Sequence, residues 1–310
     1  MILVRKPVPT PDQVRGRLFR DHALAVREQS FDRWLARFGP AALWLPGVVF
    51  MTAFFLVPVG WIVAQSVLDP DFTLKFYARL AGAPEYALVL WISLKIGLIS
   101  SLATMLAGYP VAYLLVIARP GVRALMLAFV LLPFWTNILV RCYAWMLVLQ
   151  TKGLVNTALI DWLGVIASPL PLLFNLTGVI IGMVHYLLPI AILTLYAGLK
   201  TIDLRLLRAA QGLGANPLRA FLAVFLPLSL PTLRATTMLV FVLSLGFYVT
   251  PALLGGRTEI TVAMLVSTYF SDVLNWGFGS ALAVLLLAVT LVGLTIYFAL
   301  ERSRAEVIAP

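Results

Sequence analysis

The sequence predicts an all-α membrane protein with six transmembrane helices and both termini on the cytoplasmic side. Three observations carry this. Hydrophobic residues make up 62% of the 310 and charged residues 12%, with a mean hydropathy of +0.99. Soluble chains run near half and a quarter, so this chain cannot cover itself with polar surface and lipid is part of its solvent. Apolar runs long enough to cross a hydrocarbon core of about 30 Å recur six times. Finally, the basic residues are divided unevenly between alternate connecting segments.

The runs lie at about 42–66, 87–117, 123–149, 174–199, 231–254 and 278–300. They are long, apolar and non-alternating, which satisfies backbone groups in lipid as helices rather than as barrel strands. With the N-terminus inside, the cytoplasmic segments hold 17 Lys and Arg residues, eight of them in the tail ahead of the first span. The outside segments hold only Lys75, Arg79, Lys152 and Arg257, while Lys95 and Arg141 fall within spans. This bias sets the orientation. Residues 1–41 then form a cytoplasmic tail, 42–300 the transmembrane domain and 301–310 a second cytoplasmic tail.

The first apolar run begins near Ala41, behind a charged tail and with no cleavage-like site after it, so the N-terminus does not read as a signal peptide. Residues 11–38 read either as an interfacial helix, with Phe31, Trp34, Leu35 and Phe38 on one side, or as a partly disordered tail. Segments 67–86 and 150–173 are outside connections. The stretch 261–279 is apolar but carries Asp272 and Asn275. It reads as an outside helix lying on the bundle, because a seventh span would put the basic C-terminus outside. Small residues recur at Ser93, Gly97, Ser101, Thr104, Gly108 and Ala112, and again at Gly178 and Gly182, marking faces where helices approach closely.

Several function classes drop out. The net charge of +10 is dispersed at helix ends, without the aromatic-studded basic groove that nucleic acid needs. No G-x-x-x-x-G-K-[ST] occurs, so ATP hydrolysis belongs to a partner if it is used at all. H-E-x-x-H, C-x-x-C and G-x-S-x-G are also missing. With two histidines, the lone Cys142 and no acidic cluster in the spans, an intramembrane hydrolase or metalloenzyme is not indicated, and no catalytic, cofactor or metal residue is assigned.

The segment from 200 to 230 departs from this pattern. Leu206, Ala209, Ala210 and Leu213 fall at i, i+3, i+4 and i+7 behind Asp203, a helix N-cap. Gly212 and Gly214 disfavour continuation, and Gly214 can take the left-handed conformation that ends a helix. Asn216 and Pro217 then restart it as N-cap and first helical residue. Leu218, Phe221, Leu222 and Phe225 form a second apolar face, after which Pro227 and Pro231 are expected to turn the chain into the fifth span. The result is a helix, a turn and a helix with projecting Arg205 and Arg208. It either rests on lipid headgroups or docks into a cytoplasmic partner.

Ala209, Ala210, Gly214, Val224, Leu226 and Pro227 give this segment, in which Ala215 follows the turn, a resemblance to the cytoplasmic "EAA" loop of permease subunits in binding-protein-dependent ABC importers. Arg208 stands at the glutamate position. The stretches "LPFWTNILVRCYAWMLVL" (132–149), "LPLLFNLTGVIIGMVHYLLPIAILTLYAGLKTID" (170–203) and "TPALLGG" (250–256) resemble the spermidine/putrescine-type branch of that family. The resemblance implies the type I importer permease (MetI-like) fold. It also implies a loop that couples to a dimeric cytoplasmic ABC ATPase, which binds the ATP and Mg, together with a second homologous permease and a periplasmic solute-binding protein.

The solute is less legible. The six proposed spans contain no Asp or Glu, and Phe247 and Ala252 stand where the resemblance leads one to expect acids. A polyamine path needs carboxylates or aromatic faces. The solute is therefore a small charged compound, either polyamine-type or amino-acid- or opine-like. Candidates for the path are Arg141, Tyr143, His185 and Tyr248. Arg141 reads equally as a structural or gating residue, His185 as an interhelical hydrogen-bonder, and Lys95 as a snorkelling side chain. Trp135, Tyr143 and Trp145 read as interfacial belt residues as well as path residues. A self-sufficient secondary transporter or channel is the rival reading. Against it stand the lack of an inverted repeat and of paired Gly-broken spans. A membrane scaffold is the third.

Overall fold

The computed structural model describes residues 44–68 and 71–308, with side chains to 302. The amphipathic reading of 11–38 lies outside the described residues. Among the described residues every regular element is helical, and six helices are long and apolar enough to cross a membrane.

The chain divides into two units, residues 1–61 and 62–310. In the first lies most of α1 (Leu45–Gln65), an apolar helix with Pro46 in its first turn and a wide π turn at Thr52–Leu56. The rings of Phe50 and Phe54, one turn apart, stand 4.8 Å from each other.

The second unit contains α2 (Lys75–Gly82), α3 (Pro84–Ile117), α4 (Pro120–Leu131), α5 (Ile138–Leu149) and the short α6 (Leu154–Thr157). Then follow α7 (Leu176–Leu199), α8 (Arg205–Gly212), α9 (Pro217–Leu245), α10 (Val249–Leu254), α11 (Val262–Ser271) and α12 (Trp276–Ile308).

Its core is the packing of α3, α7 and α9, and the expected stripe of small residues makes that packing possible. Ser93, Gly97, Ser101, Thr104, Gly108 and Ala112 are all buried along α3. A side-chain carbon on Gly97 would stand 3.0 Å from Ser244 Oγ, and one on Gly108 would rest at 3.5 Å from Ile192 and Leu188. Gly178 and Gly182 likewise let α7 approach α10. Around these contacts Met105, Leu115, Met183, Leu187, Leu195, Phe225 and Val240 fill the interior.

A second apolar cluster joins α2, α3, α11 and α12 through Phe76, Tyr86, Val262 and Phe278. The Val262 N–H donates to Ser93 Oγ at 2.8 Å. As expected, 261–279 yields only a ten-residue helix, α11, too short to cross a bilayer. Arg234 on α9 and Glu301 on α12 pair at 2.5 Å.

Two expectations about the spans are corrected. The third run is not one helix. α4 passes through a tight 3-10 turn at Leu132–Trp135, the backbone becomes extended at Thr136 and Asn137, and α5 starts afresh. The fifth run is also broken, at Gly246–Tyr248, between α9 and α10. Two spans are thus broken, only the second of them at a glycine, Gly246. Pro227 and Pro231 do not turn the chain but lie within α9. Pro227 lacks the N–H and crowds the preceding turn. The widened π turn at Phe221–Phe225, closed by the Leu226 N–H to Phe221 O, absorbs that change of register without ending the helix.

Candidate functional site

The segment 200–230 is a helix, a left-handed turn and a helix. Asp203 Oδ1 accepts the Arg205 N–H at 2.8 Å, one residue ahead of the helix's own N-cap, Leu204. At the other end Gly214 adopts φ +91°. The Ala215 N–H reaches Ala210 O at 3.1 Å and the Gly214 N–H reaches Gln211 O at 2.9 Å. This is a Schellman ending, in which a glycine at the left-handed position lets the last carbonyls find donors. Asn216 Oδ1 then accepts the Arg219 N–H at 2.7 Å, and Pro217 begins α9.

The buried side of α8 differs from the expected one. Leu207 is buried, whereas Leu206 is half-exposed and Leu213, at the tip, is 90% exposed. In the second helix Phe225 is buried but Leu218 and Leu222 stay exposed. Arg205, Arg208 and Ala209 are exposed, while Ala210 and Ala215 are half-buried. The tip is therefore an apolar and basic projection.

This projection is rigidly rooted. α9 runs from Pro217 to Leu245 without interruption, 29 residues or about 43 Å at 1.5 Å per residue. Near its start the rings of Phe221 and Phe225 meet Tyr113 on α3 at 5.0 and 4.9 Å. One turn further on, Tyr109 and Ser229 share a hydrogen bond of 2.7 Å. Ser229 Oγ also donates to Leu226 O, so the Tyr109 hydroxyl is the donor of the pair.

At the far end of α9 the break places Phe247 against Tyr186 of α7, with ring centres 4.5 Å apart. The other face of this junction is Arg141, whose guanidinium carbon lies 5.2 Å from the centre of the Tyr186 ring. Arg141 is buried and donates to Thr136 O at 3.1 Å, to Thr136 Oγ1 at 2.9 Å and to Pro133 O. These are the acceptors exposed where α4 ends, while Asn137 Oδ1 takes the Leu139 N–H at 2.8 Å to begin α5. The two breaks are thus joined through one α7 tyrosine.

The four proposed path residues do not converge. His185 Nδ1 accepts the Trp145 indole N–H at 3.1 Å, an interhelical bond. Tyr143 is exposed beside a hollow of about 470 Å³ with Met146, Gln150 and Pro171. Tyr248 is half-exposed beside a separate hollow of about 490 Å³ with Val242, Val266 and Leu286. Lys95 is exposed on α3. Trp135, at the α4 break, is 88% exposed. Tyr186 is not singled out by the sequence, and Phe247 stands out there only as a position without the expected acid, although Asn137 behind Pro133 and Gly246 inside an apolar run are the local signals of the breaks they join. No group of three His, Cys, Asp or Glu able to hold a metal occurs among the described residues.

A polytopic helical unit with two broken spans and a capped helix-turn-helix projecting from one of them defines a permease of the type I importer (MetI-like) fold. Solved structures share it at levels of identity that speak for fold alone. A bacterial alginate ABC transporter in complex with an alginate pentasaccharide-bound periplasmic protein matches 89% of this chain and 96% of its own, with a TM-score of 0.74 at 16% identity. The inward-facing MetNI methionine ABC transporter matches 69% of this chain and 94% of its own, at 0.53 and 17%.

Residues 23–306 match the family model of the binding-protein-dependent transport system inner membrane component. The chain belongs to that family. It is a multi-pass inner-membrane permease subunit of an ABC importer and not by itself an enzyme. Among similar proteins is the spermidine/putrescine transport system permease protein PotB of Haemophilus influenzae, 38% identical over 255 residues, which are 80% of this chain and 86% of that one. PotB of Escherichia coli K12 is 35% identical over 261 residues, 84% of this chain and 94% of that one. The putative 2-aminoethylphosphonate transport system permease protein PhnU of Salmonella paratyphi A is 28% identical over 274 residues, 86% and 92% respectively.

Proposed function

We propose that this permease translocates a small polyamine-type cation delivered by a periplasmic binding protein. A dimeric cytoplasmic ATPase, binding ATP and Mg, drives it by seizing the loop 200–230, and a second homologous permease completes the path. The observation that carries the solute is likeness across 80% or more of the chain to spermidine/putrescine permeases at 35–38% identity, against 28% for the aminoethylphosphonate one.

The geometry supports the same side. An anion-binding role for Arg141 would need its guanidinium to be available, and here it is occupied by Pro133, Thr136 and Tyr186. Among the residues exposed at the two breaks are the aromatic Trp135 and Tyr248, and aromatic faces attract ammonium groups. Carboxylates come from the second permease in this reading.

Loop and orientation go together. The charge bias supports a cytoplasmic position for 200–230 and for both tails, 1–41 and 301–310. The continuity of α9 suits transmission, because rigid-body motion applied at Pro217 reaches the Gly246–Tyr248 break along one helix. The deciding experiment is uptake by the purified complex in proteoliposomes with its binding protein. Spermidine or putrescine should enter in an ATP-dependent way and 2-aminoethylphosphonate should not. Uptake of the phosphonate alone would replace the cation by a zwitterion.

A further inference from the structure

Gly212 packs against nothing among the described residues, and Gly214 alone suffices to end the helix. Gly212 is the last residue of α8 and has a negative φ, and a side-chain carbon added there would meet no atom within 4 Å. Gly214, two residues on, differs, since its φ of +91° calls for glycine. Glycine is a poorer helix former than alanine, so α8 forgoes helix propensity at 212 without gaining any internal contact.

What glycine does provide is absence of bulk on one face. Arg205, Arg208, Ala209 and Gly212 stand at i, i+3, i+4 and i+7 along α8 and share that face, and all four are exposed. The opposite side carries the buried Leu207. The face is a shallow floor of Ala209 and Gly212 walled by two guanidinium groups. The segment 200–230 carries four cations and one acid, Asp203, and neither Arg205 nor Arg208 forms an ion pair among the described residues.

We infer that this face receives a close-packed, carboxylate-bearing surface of the ATPase. Acids of that surface pair with Arg205 and Arg208, and its backbone or small side chains press onto the Ala209–Gly212 floor. The inference rests on reading 200–230 as the coupling loop and adds the partner's chemistry to it. Arginine forks match carboxylates in two-bond geometry. An anionic lipid surface also attracts arginines, but headgroups give no reason for the missing side chain at 212. A packed protein surface does.

The test uses the complex purified from its native host with its ATPase. It compares the unmodified permease with Gly212→Leu, Arg205→Glu/Arg208→Glu and Arg205→Lys/Arg208→Lys. All change exposed positions, so permease recovery is expected to be unaltered. ATPase retention should fall by roughly tenfold or more in the leucine and glutamate variants, as the loss of a desolvated charge pair does, and return in part with lysine. Each is measured in zwitterionic detergent and in nanodiscs of phosphatidylcholine with and without phosphatidylglycerol. Loss of the ATPase in all three media supports the inference. Loss confined to phosphatidylglycerol nanodiscs makes the headgroups the partner and overturns it. Full retention in the glutamate and leucine variants overturns it while leaving the coupling loop in place. An unmodified permease that carries no ATPase removes the coupling reading and this inference together.

Discussion

Arg141 on α5 lies over the ring of Tyr186 on α7, 5.2 Å from its centre, and Tyr186 in turn meets Phe247 at the break beyond α9. A single buried cation therefore closes one broken span and touches, through one ring, the break in another. Broken helices at membrane depth leave carbonyls without partners unless side chains supply donors. Arg141 supplies them to Pro133 and Thr136.

Replacing Arg141 by alanine should therefore weaken the permease itself. Thr136 O loses its charged donor while Pro133 O keeps the Thr136 N–H at 3.2 Å and Thr136 Oγ1 at 2.7 Å, so the cost is about 1.5–3 kcal/mol in all. Lower recovery and a lower melting temperature in detergent are expected, with lysine restoring only part because it lacks the planar fork. Unchanged melting combined with lost uptake would instead put Arg141 in the solute path.

Glycines on α3 and α7 should respond differently to the same substitution. An alanine carbon at Gly178 would stand 2.7 Å from the backbone carbonyl oxygen of Leu172, which cannot swing aside. The same carbon at Gly108 meets only side chains at 3.5 Å and beyond. Gly178→Ala is expected to cost about 1–3 kcal/mol, and Gly108→Ala to be neutral or slightly favourable through helix propensity. Thermal unfolding of the two variants side by side checks this.

The Tyr109–Ser229 bond fastens α9 to α3 just beyond the π turn. Tyr109→Phe leaves Ser229 bonded to Leu226 O, so its cost should be modest, about 0.5–1.5 kcal/mol. Ser229→Ala should cost more, because it orphans the Tyr109 hydroxyl. A double-mutant cycle on melting temperature measures the coupling, and additive effects would show that the bond does not form.

The loop was legible in the sequence because its signals act locally. Gly214 takes its positive φ and Asn216 caps through its own side chain whatever surrounds them. Which leucine faces inward was not legible. Leu206 and Leu207 are adjacent, and only the neighbouring α9 decides that Leu207 is the buried one. The six spans follow from hydropathy, but their breaks do not, since Thr136, Asn137 and Gly246 are averaged away in apolar runs. Proline misled in the other direction, as Pro231 sits inside a continuous helix. Residue type and place along a span do not say which hollow a side chain borders, and Tyr143 and Tyr248 border different ones.

The most direct test of the account is Gly214→Trp in the complete reconstituted transporter. The position has φ +91°, where an L-residue costs about 1–2 kcal/mol, and nothing lies within 4 Å of a Cβ added there. The variant should therefore insert and assemble, while the indole obstructs whatever the tip docks into. ATP hydrolysis and solute uptake are measured in the same proteoliposomes. The account predicts that uptake is lost while any hydrolysis that remains no longer responds to loaded binding protein. Uptake at the unmodified rate, still stimulated by loaded binding protein, would contradict it.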